Sequence, residues 1–234
     1  MQEEYYTKNL YPLQDGILKL VSDTKIPFYL TGGTALSRHY FNHRYSDDLD
    51  FFVNCDPRYG EYVNVFYKNL MIMKDEGKIL INTKDIIRTE DYSQFIITDY
   101  FKEINLKIDL INDVARHYGD FEYSLNLGKV DSWRNILSNK LSALYRNEVK
   151  DVVDIIEIAS RKEFDWKELI HEAKEKDNSI DPIVVSNILN SFPKELLDKI
   201  KWVKKMNFDI LMEKLHIITK DITFGKENSL AKKF

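Results

Sequence analysis

The chain has 234 residues, 44% of them hydrophobic, 13% aromatic and 31% charged, with a formal charge of −4. That length allows one large or two modest domains, and the composition is that of a soluble globular protein with ample material for a core. The acidic balance argues against a strongly basic nucleic-acid binder without excluding one, because a local basic patch is what matters.

No apolar run is long enough to span a bilayer. The opening MQEEYYTKNL has neither the basic start nor the apolar segment of a secretory signal. The single cysteine, Cys55, rules out an intramolecular disulfide and fits a reducing cytoplasm. It reads as a small apolar residue after a strand, not as a nucleophile.

Leu10, Leu13, Ile17, Leu20 and Val21 recur at helical spacing, with Pro12 suited to the first turn. Lys25-Ile26-Pro27 ends that helix. Phe28 to Leu30 is a short apolar strand that runs into Gly32-Gly33, a pair that lets the backbone turn tightly and approach a ligand. Thr34 to His43 continues as a helix, and its unpaired N–H groups beside the glycines would make an anion site. Ser46 to Val53 then reads as a strand. Alternation puts Asp48, Asp50 and Phe52 on one face and Leu49, Phe51 and Val53 on the other. Two carboxylates thus face the glycine turn, an arrangement suited to a divalent cation carried with a nucleotide triphosphate. Asp47 has the opposite parity and is left out of this set.

Tyr59 to Met73 is a core-packing helix by its spacing. After Gly77, the runs Lys78–Ile81, Asp85–Arg88 and Phe95–Ile97 read as short antiparallel strands leading into Ile104–Ile111. In that last strand Leu106, Ile108 and Leu110 face inward, and Lys107, Asp109 and Ile111 point the other way. Asp109 is a mid-strand carboxylate that would complete a two-metal clamp. Its bland reading is a strand-edge charge paired with Lys107.

From Ser132 the pattern becomes helical, with the boundary near Gly128, giving domains of residues 1–128 and 129–234. Ser132 caps a helix expected to run through Asn147, with Leu137, Leu141 and Leu144 inward and Lys140 near the edge of that stripe. Further helices are expected at Lys150–Ser160, Asp165–Lys176, Pro182–Asn190, Lys194–Lys205 and Asp209–Ile222. Asp151 and Asp154 share a face, and Arg146 and Lys150 stand one helical turn apart. Lys199, Lys201, Lys204 and Lys205 surround Trp202, either as a solvated helix face or as an RNA contact with a stacked base. His39 and His43 have zinc spacing, but no third ligand is evident. The expected class is α+β: a mixed sheet with packed helices, followed by an α-helical domain.

Gly32-Gly33-Thr34, Arg44, Ser46, Asp48, Asp50 and Phe51, with Asp109 on a later strand, resemble the DNA polymerase β-type nucleotidyltransferase superfamily. More closely, GGTAL followed by R-x-S-x-D-L-D-F resembles the AbiEii/AbiGii-type toxin family. The later run Lys140-Leu141-Ser142-Ala143-Leu144, Arg146, Lys150-Asp151 and Asp154 is similar to that family's helical signature, in the same order. The resemblance spans Leu30 to Asp154 and implies an active site in a cleft between the two domains. It implies transfer of a nucleoside monophosphate from an NTP, with release of pyrophosphate. Asp48 and Asp50 would hold Mg²⁺, and Asp109 would complete the metal set and help deprotonate the acceptor. Gly32, Gly33, Thr34, Arg44 and Ser46 would bind the nucleotide, and Lys140 would clamp its phosphates. Asp154 would bind a nucleotide hydroxyl or hold Lys140 by an ion pair; both readings stand. The implied protein is the toxin of a toxin–antitoxin or phage-defence pair, with tRNA or another RNA as acceptor and a cognate antitoxin as partner. Alternatives are a nucleotidyltransferase acting on a small molecule such as an antibiotic, and a non-catalytic nucleotide-binding regulator.

Overall fold

A computed structural model describes residues 2–231. The chain forms two compact units. The first comprises the chain up to Tyr40, Tyr45–Ala115 and Asp120–Asp131. The second comprises Phe41–Arg44, Arg116–Gly119 and the chain from Ser132 onward. The two short segments Phe41–Arg44 and Arg116–Gly119 therefore pack with the helices, although they precede Ser132 in the sequence.

In the first unit, α1 (Gln2–Tyr5) and a π-helical turn, Tyr6–Leu10, lead into α2 (Tyr11–Thr24). β1 (Tyr29–Thr31) passes directly into α3 (Gly32–Ala35), which continues as a π-helical stretch, Leu36–Phe41. The chain goes on through β2 (Leu49–Asn54) and α4 (Tyr59–Asp75). It then forms β3 (Ile79–Ile81), β4 (Ile87–Arg88), β5 (Tyr92–Asp99) and β6 (Asn105–Asp113). A hairpin follows, β7 (Glu122–Ser124) and β8 (Gly128–Val130), which the sequence reading did not anticipate. The strands make one mixed sheet in the order β3-β5-β6-β2-β1-β8-β7, with β4 paired to β5. β6 lies between β2 and β5, parallel to the first and antiparallel to the second.

Alternation explains how the sheet is oriented. Leu49, Phe51 and Val53 of β2 and Leu106, Ile108 and Leu110 of β6 are buried. With one face held in the core, Asp50 and Asp109 must take the other, because a one-residue slip would bury charge and expose all six apolar side chains. β2 begins at Leu49, so Asp48 lies just before the strand instead of within it.

The second unit is helical: α5 (Trp133–Ser142), α6 (Val149–Ala159), α7 (Trp166–Lys176), α8 (Pro182–Asn190) and α9 (Phe208–Thr223). Ser132 caps α5 by accepting from the Asn135 N–H, as expected. Two helical expectations need correction. α5 stops at Ser142, and Leu144–Arg146 is a 3₁₀ turn ended by Asn147 in the left-handed conformation, a residue type that tolerates it. The expected helix Lys194–Lys205 is only a 3₁₀ segment, Lys194–Lys199. Beyond it Trp202 forms a β-bridge with Arg44 and donates its indole N–H to the Leu197 carbonyl, so tertiary pairing overrides helical propensity. No helix of the described residues is long and apolar enough to cross a membrane.

Candidate active site

The glycine turn and the aspartates meet in the first unit. Gly32 has φ +67°, in the left-handed region, and a Cβ built there would lie 2.5 Å from Asp50 Oδ2. Glycine is thus required twice, for its backbone conformation and for the space that the Asp50 carboxylate takes. Buried Asp131 anchors the preceding strand, accepting a 2.5 Å hydrogen bond from the Thr31 hydroxyl. Thr34 is buried and its hydroxyl donates to the Asp48 carbonyl, which fixes the entry into β2. Ser46 is also buried, and its carbonyl accepts from Gln14 Nε2 at 3.1 Å.

The β2–β6 register places Asp50 beside Asp109 and Leu49 beside Ile108. Asp109 is well satisfied. Its Oδ1 accepts from the Tyr92 hydroxyl and from Gln94 Nε2, both at 3.1 Å. Its Oδ2 accepts from Lys107 Nζ at 2.7 Å, and the same ammonium lies 4.0 Å from Asp48 Oδ2. Burial pulls Lys107 toward the neutral form, but the hydrogen bond and charge of Asp109, with Asp48 and Asp50, outweigh it and hold the lysine above its ordinary pKa. Burial raises the Tyr92 phenol, and Asp109 adds to that, so it stays a neutral donor. Tyr92 and Gln94 did not emerge from the sequence. Their signal was parity: they alternate on the strand preceding β6, and Gln94 pairs with Asp109.

The donors expected for Mg²⁺ are all carboxylate oxygens, the chemistry that ion prefers. Among the described residues no three His, Cys, Asp or Glu side chains converge on a common point suited to a metal. Asp48 and Asp109 do already share one cation, the Lys107 ammonium. The carboxylate oxygens suit a hard cation by type, and in this structure the Lys107 ammonium supplies the positive charge beside them.

The other expected residues form a buried ion cluster in the second unit. Asp154 is fully buried and accepts from Arg44 Nε and Nη2, each at 2.7 Å, and from His43 Nε2 at 2.9 Å. Lys140 Nζ lies 2.9 Å from Asp154 Oδ2 and 2.6 Å from Asp151 Oδ1, while Arg146 reaches Asp151 at 3.3 Å. Of the two readings for Asp154, the ion pair to Lys140 is present. Burial works against the Asp154 charge, but Arg44, Lys140 and His43 overcome it and hold the carboxyl well below the usual range. Lys140 is likewise held above its ordinary value: Asp154 and Asp151 outweigh its burial. The two histidines with zinc spacing go to separate carboxylates, His43 to Asp154 and His39 to Glu122. Cys55 is exposed, not packed as a small apolar residue. Lys199, Lys201, Lys204 and Lys205 are all exposed.

A mixed sheet with paired aspartates beside a glycine turn is the framework of a nucleotidyltransferase, and solved structures share the fold. JHP933 from Helicobacter pylori is 18% identical, with 96% of this chain and 93% of that one covered and a TM-score of 0.57. The nucleotidyltransferase toxin MenT4 (Rv2826c) from Mycobacterium tuberculosis H37Rv is 16% identical, with 92% and 82% covered and a TM-score of 0.59. No curated protein matches the chain. Residues 19–221 match the family described as nucleotidyl transferase AbiEii toxin, Type IV TA system. The chain belongs to this AbiEii toxin family.

Proposed function

We propose that this chain is a metal-dependent nucleotidyltransferase toxin that moves a nucleoside monophosphate from an NTP to a hydroxyl of an RNA, with tRNA as the acceptor class, and that a cognate antitoxin is its partner. The observation that carries the reading is the pairing of Asp50 with Asp109 on adjacent parallel strands, with the Asp50 carboxylate seated against Gly32. Asp48, Asp50 and Asp109 would hold Mg²⁺. When bound, the ion would offset phosphate charge and lower the pKa of the attacking hydroxyl. Gly32 and Gly33 are assigned to the triphosphate, beside the Asp50 carboxylate that fills the space at Gly32. Thr34, whose hydroxyl donates to the Asp48 carbonyl, and Ser46, whose carbonyl accepts from Gln14, are assigned to the same triphosphate. We assign the acceptor proton to Asp109 Oδ2, which Lys107 caps at 2.7 Å, since Oδ1 is held by both Tyr92 and Gln94. The acceptor oxygen bonds to the α-phosphorus, the bond to the bridging oxygen breaks, and pyrophosphate leaves. In the second unit, Lys140 is assigned to the phosphates, with Arg44 and Asp154 as its supporting ions. The exposed lysines from Lys199 to Lys205 supply positive surface for an RNA backbone.

The test is incubation with each labelled NTP and total bacterial RNA, alongside small hydroxylated acceptors. Label on RNA with pyrophosphate release supports the reading. Label on small acceptors alone turns it toward a small-molecule enzyme. A nucleotide that binds without pyrophosphate release makes the chain a regulator.

A further inference from the structure

Lys107 stands two residues before Asp109 on the same face of β6, and Asp48, just ahead of the first β2–β6 pair Leu49–Ile108, comes within 4.0 Å of its ammonium. Three carboxylates and one ammonium thus share a small patch of sheet, with the ammonium 2.7 Å from Asp109 and 4.0 Å from Asp48. We propose that Lys107 is a built-in counter-cation of this site, which holds the aspartates together in the ion-free protein and is displaced when a divalent cation binds. The inference rests on the metal-dependent reading above and adds a residue with a role in loading.

Three features support it. The Lys107 ammonium lies within 4.0 Å of two of the carboxylates, so it offsets their mutual repulsion in the ion-free protein. Lysine is suited to leave: its ammonium is a compact point charge on a flexible stem, whereas a guanidinium fork would lock both oxygens of a carboxylate. The Lys107 side chain is also 37% exposed against 11% for Asp109, so the lysine is the more accessible partner of the pair. The exchange has a consequence for the chemistry. Lys107 caps Asp109 Oδ2, the oxygen assigned to accept the proton, so that base becomes available only once the lysine has moved.

The experiment titrates Mn²⁺ and Mg²⁺ alone, without nucleotide, into the wild type, Lys107→Met and Lys107→Gln, by calorimetry and by thermal melting. In parallel, amine acylation of the wild type is mapped by mass spectrometry with EDTA or with the ion. Both variants should bind the ion about tenfold more tightly or better, because no resident charge opposes entry. They should melt below the wild type in EDTA and regain the loss on adding the ion. In the wild type, the Lys107 amine should be protected in EDTA and reactive with the ion. Equal ion affinity in all three proteins, or acylation of Lys107 unchanged by the ion, overturns the inference and leaves the metal assignment standing. If no protein binds a divalent cation, the metal reading itself fails and this inference falls with it.

Discussion

The guanidinium of Arg44 grips Asp154 with two hydrogen bonds, Nε to Oδ1 and Nη2 to Oδ2, each 2.7 Å long, around a carboxylate with no exposure to solvent. Lys140 closes the same cluster from α5. Removing one partner of such a pair leaves the other charge buried and uncompensated, which costs about 3–5 kcal/mol. Arg44→Ala, Asp154→Ala and Lys140→Ala should each lower stability by that order in denaturant unfolding, and Arg44→Lys should recover little because it lacks the fork. The buried ion pairs of Lys140 predict that Lys140→Ala loses stability as well as turnover. A Lys140→Ala protein with wild-type stability and lost pyrophosphate release would make the lysine a phosphate contact only.

The same cluster predicts the acid limb of the stability curve. The folded Asp154 carboxyl titrates well below its ordinary value, so the unfolded chain binds the proton first as pH falls. Its contribution is present above an unfolded value of about 3.9 and is lost as pH drops from there through the folded value. Lys140 acts at the opposite end: its contribution is complete below about 10.4 and fades as pH rises through its elevated folded value. Melting temperature followed from pH 5 downward should fall steeply below about 4 in the wild type and more gently in Asp154→Asn. Parallel acid limbs would remove Asp154 from the account.

Gly32→Ala should be costly in two ways. The new Cβ would meet Asp50 Oδ2 at 2.5 Å, and alanine is strained at φ +67°. The backbone penalty alone is about 1–2 kcal/mol. Because Asp50 must move aside, activity should fall further than stability does. Turnover measured well below the melting temperature separates the two effects, and a fully active Gly32→Ala would show that Asp50 has no fixed position in the reaction.

Asp48→Ala and Asp50→Ala should abolish pyrophosphate release while shifting stability by less than about 1 kcal/mol, since both carboxylates are part-exposed on the polar side of the sheet. Expression of the wild type without its antitoxin should arrest growth, and Asp48→Ala should not. Pyrophosphate release surviving in the double variant would sink the metal assignment.

Replacing Lys199, Lys201, Lys204 and Lys205 by Glu should weaken transfer to RNA and flatten its dependence on salt, because a protein that neutralises fewer phosphates releases fewer counterions on binding. Transfer to a small hydroxyl acceptor should barely change. Equal losses on both acceptors would place the lysines outside RNA binding.

The alternation in Leu49–Val53 and Leu106–Leu110 was enough to put Asp50 and Asp109 on one face, because side-chain parity along a strand is a local property and one apolar face settles it. The GGTAL and lysine-helix motifs likewise carried the family, and Ser132 its helix start, since each depends on residues close together in the chain. The pairs Lys140–Asp154 and Lys107–Asp109 were among the readings the sequence offered, but it could not choose them. That Arg44 also converges on Asp154, that Tyr92 and Gln94 hold Asp109, and that Lys107 reaches Asp48 too depend on which elements the fold brings side by side. The 3₁₀ segment at Lys194–Lys199 failed as a helix for the same reason: its helical propensity was local, and the bridge from Trp202 to Arg44 that opposed it was not. Propensity and parity act over a few residues, whereas ion pairing and sheet register act across the folded chain, where a few kcal/mol from a distant partner outweigh the preference of a single turn.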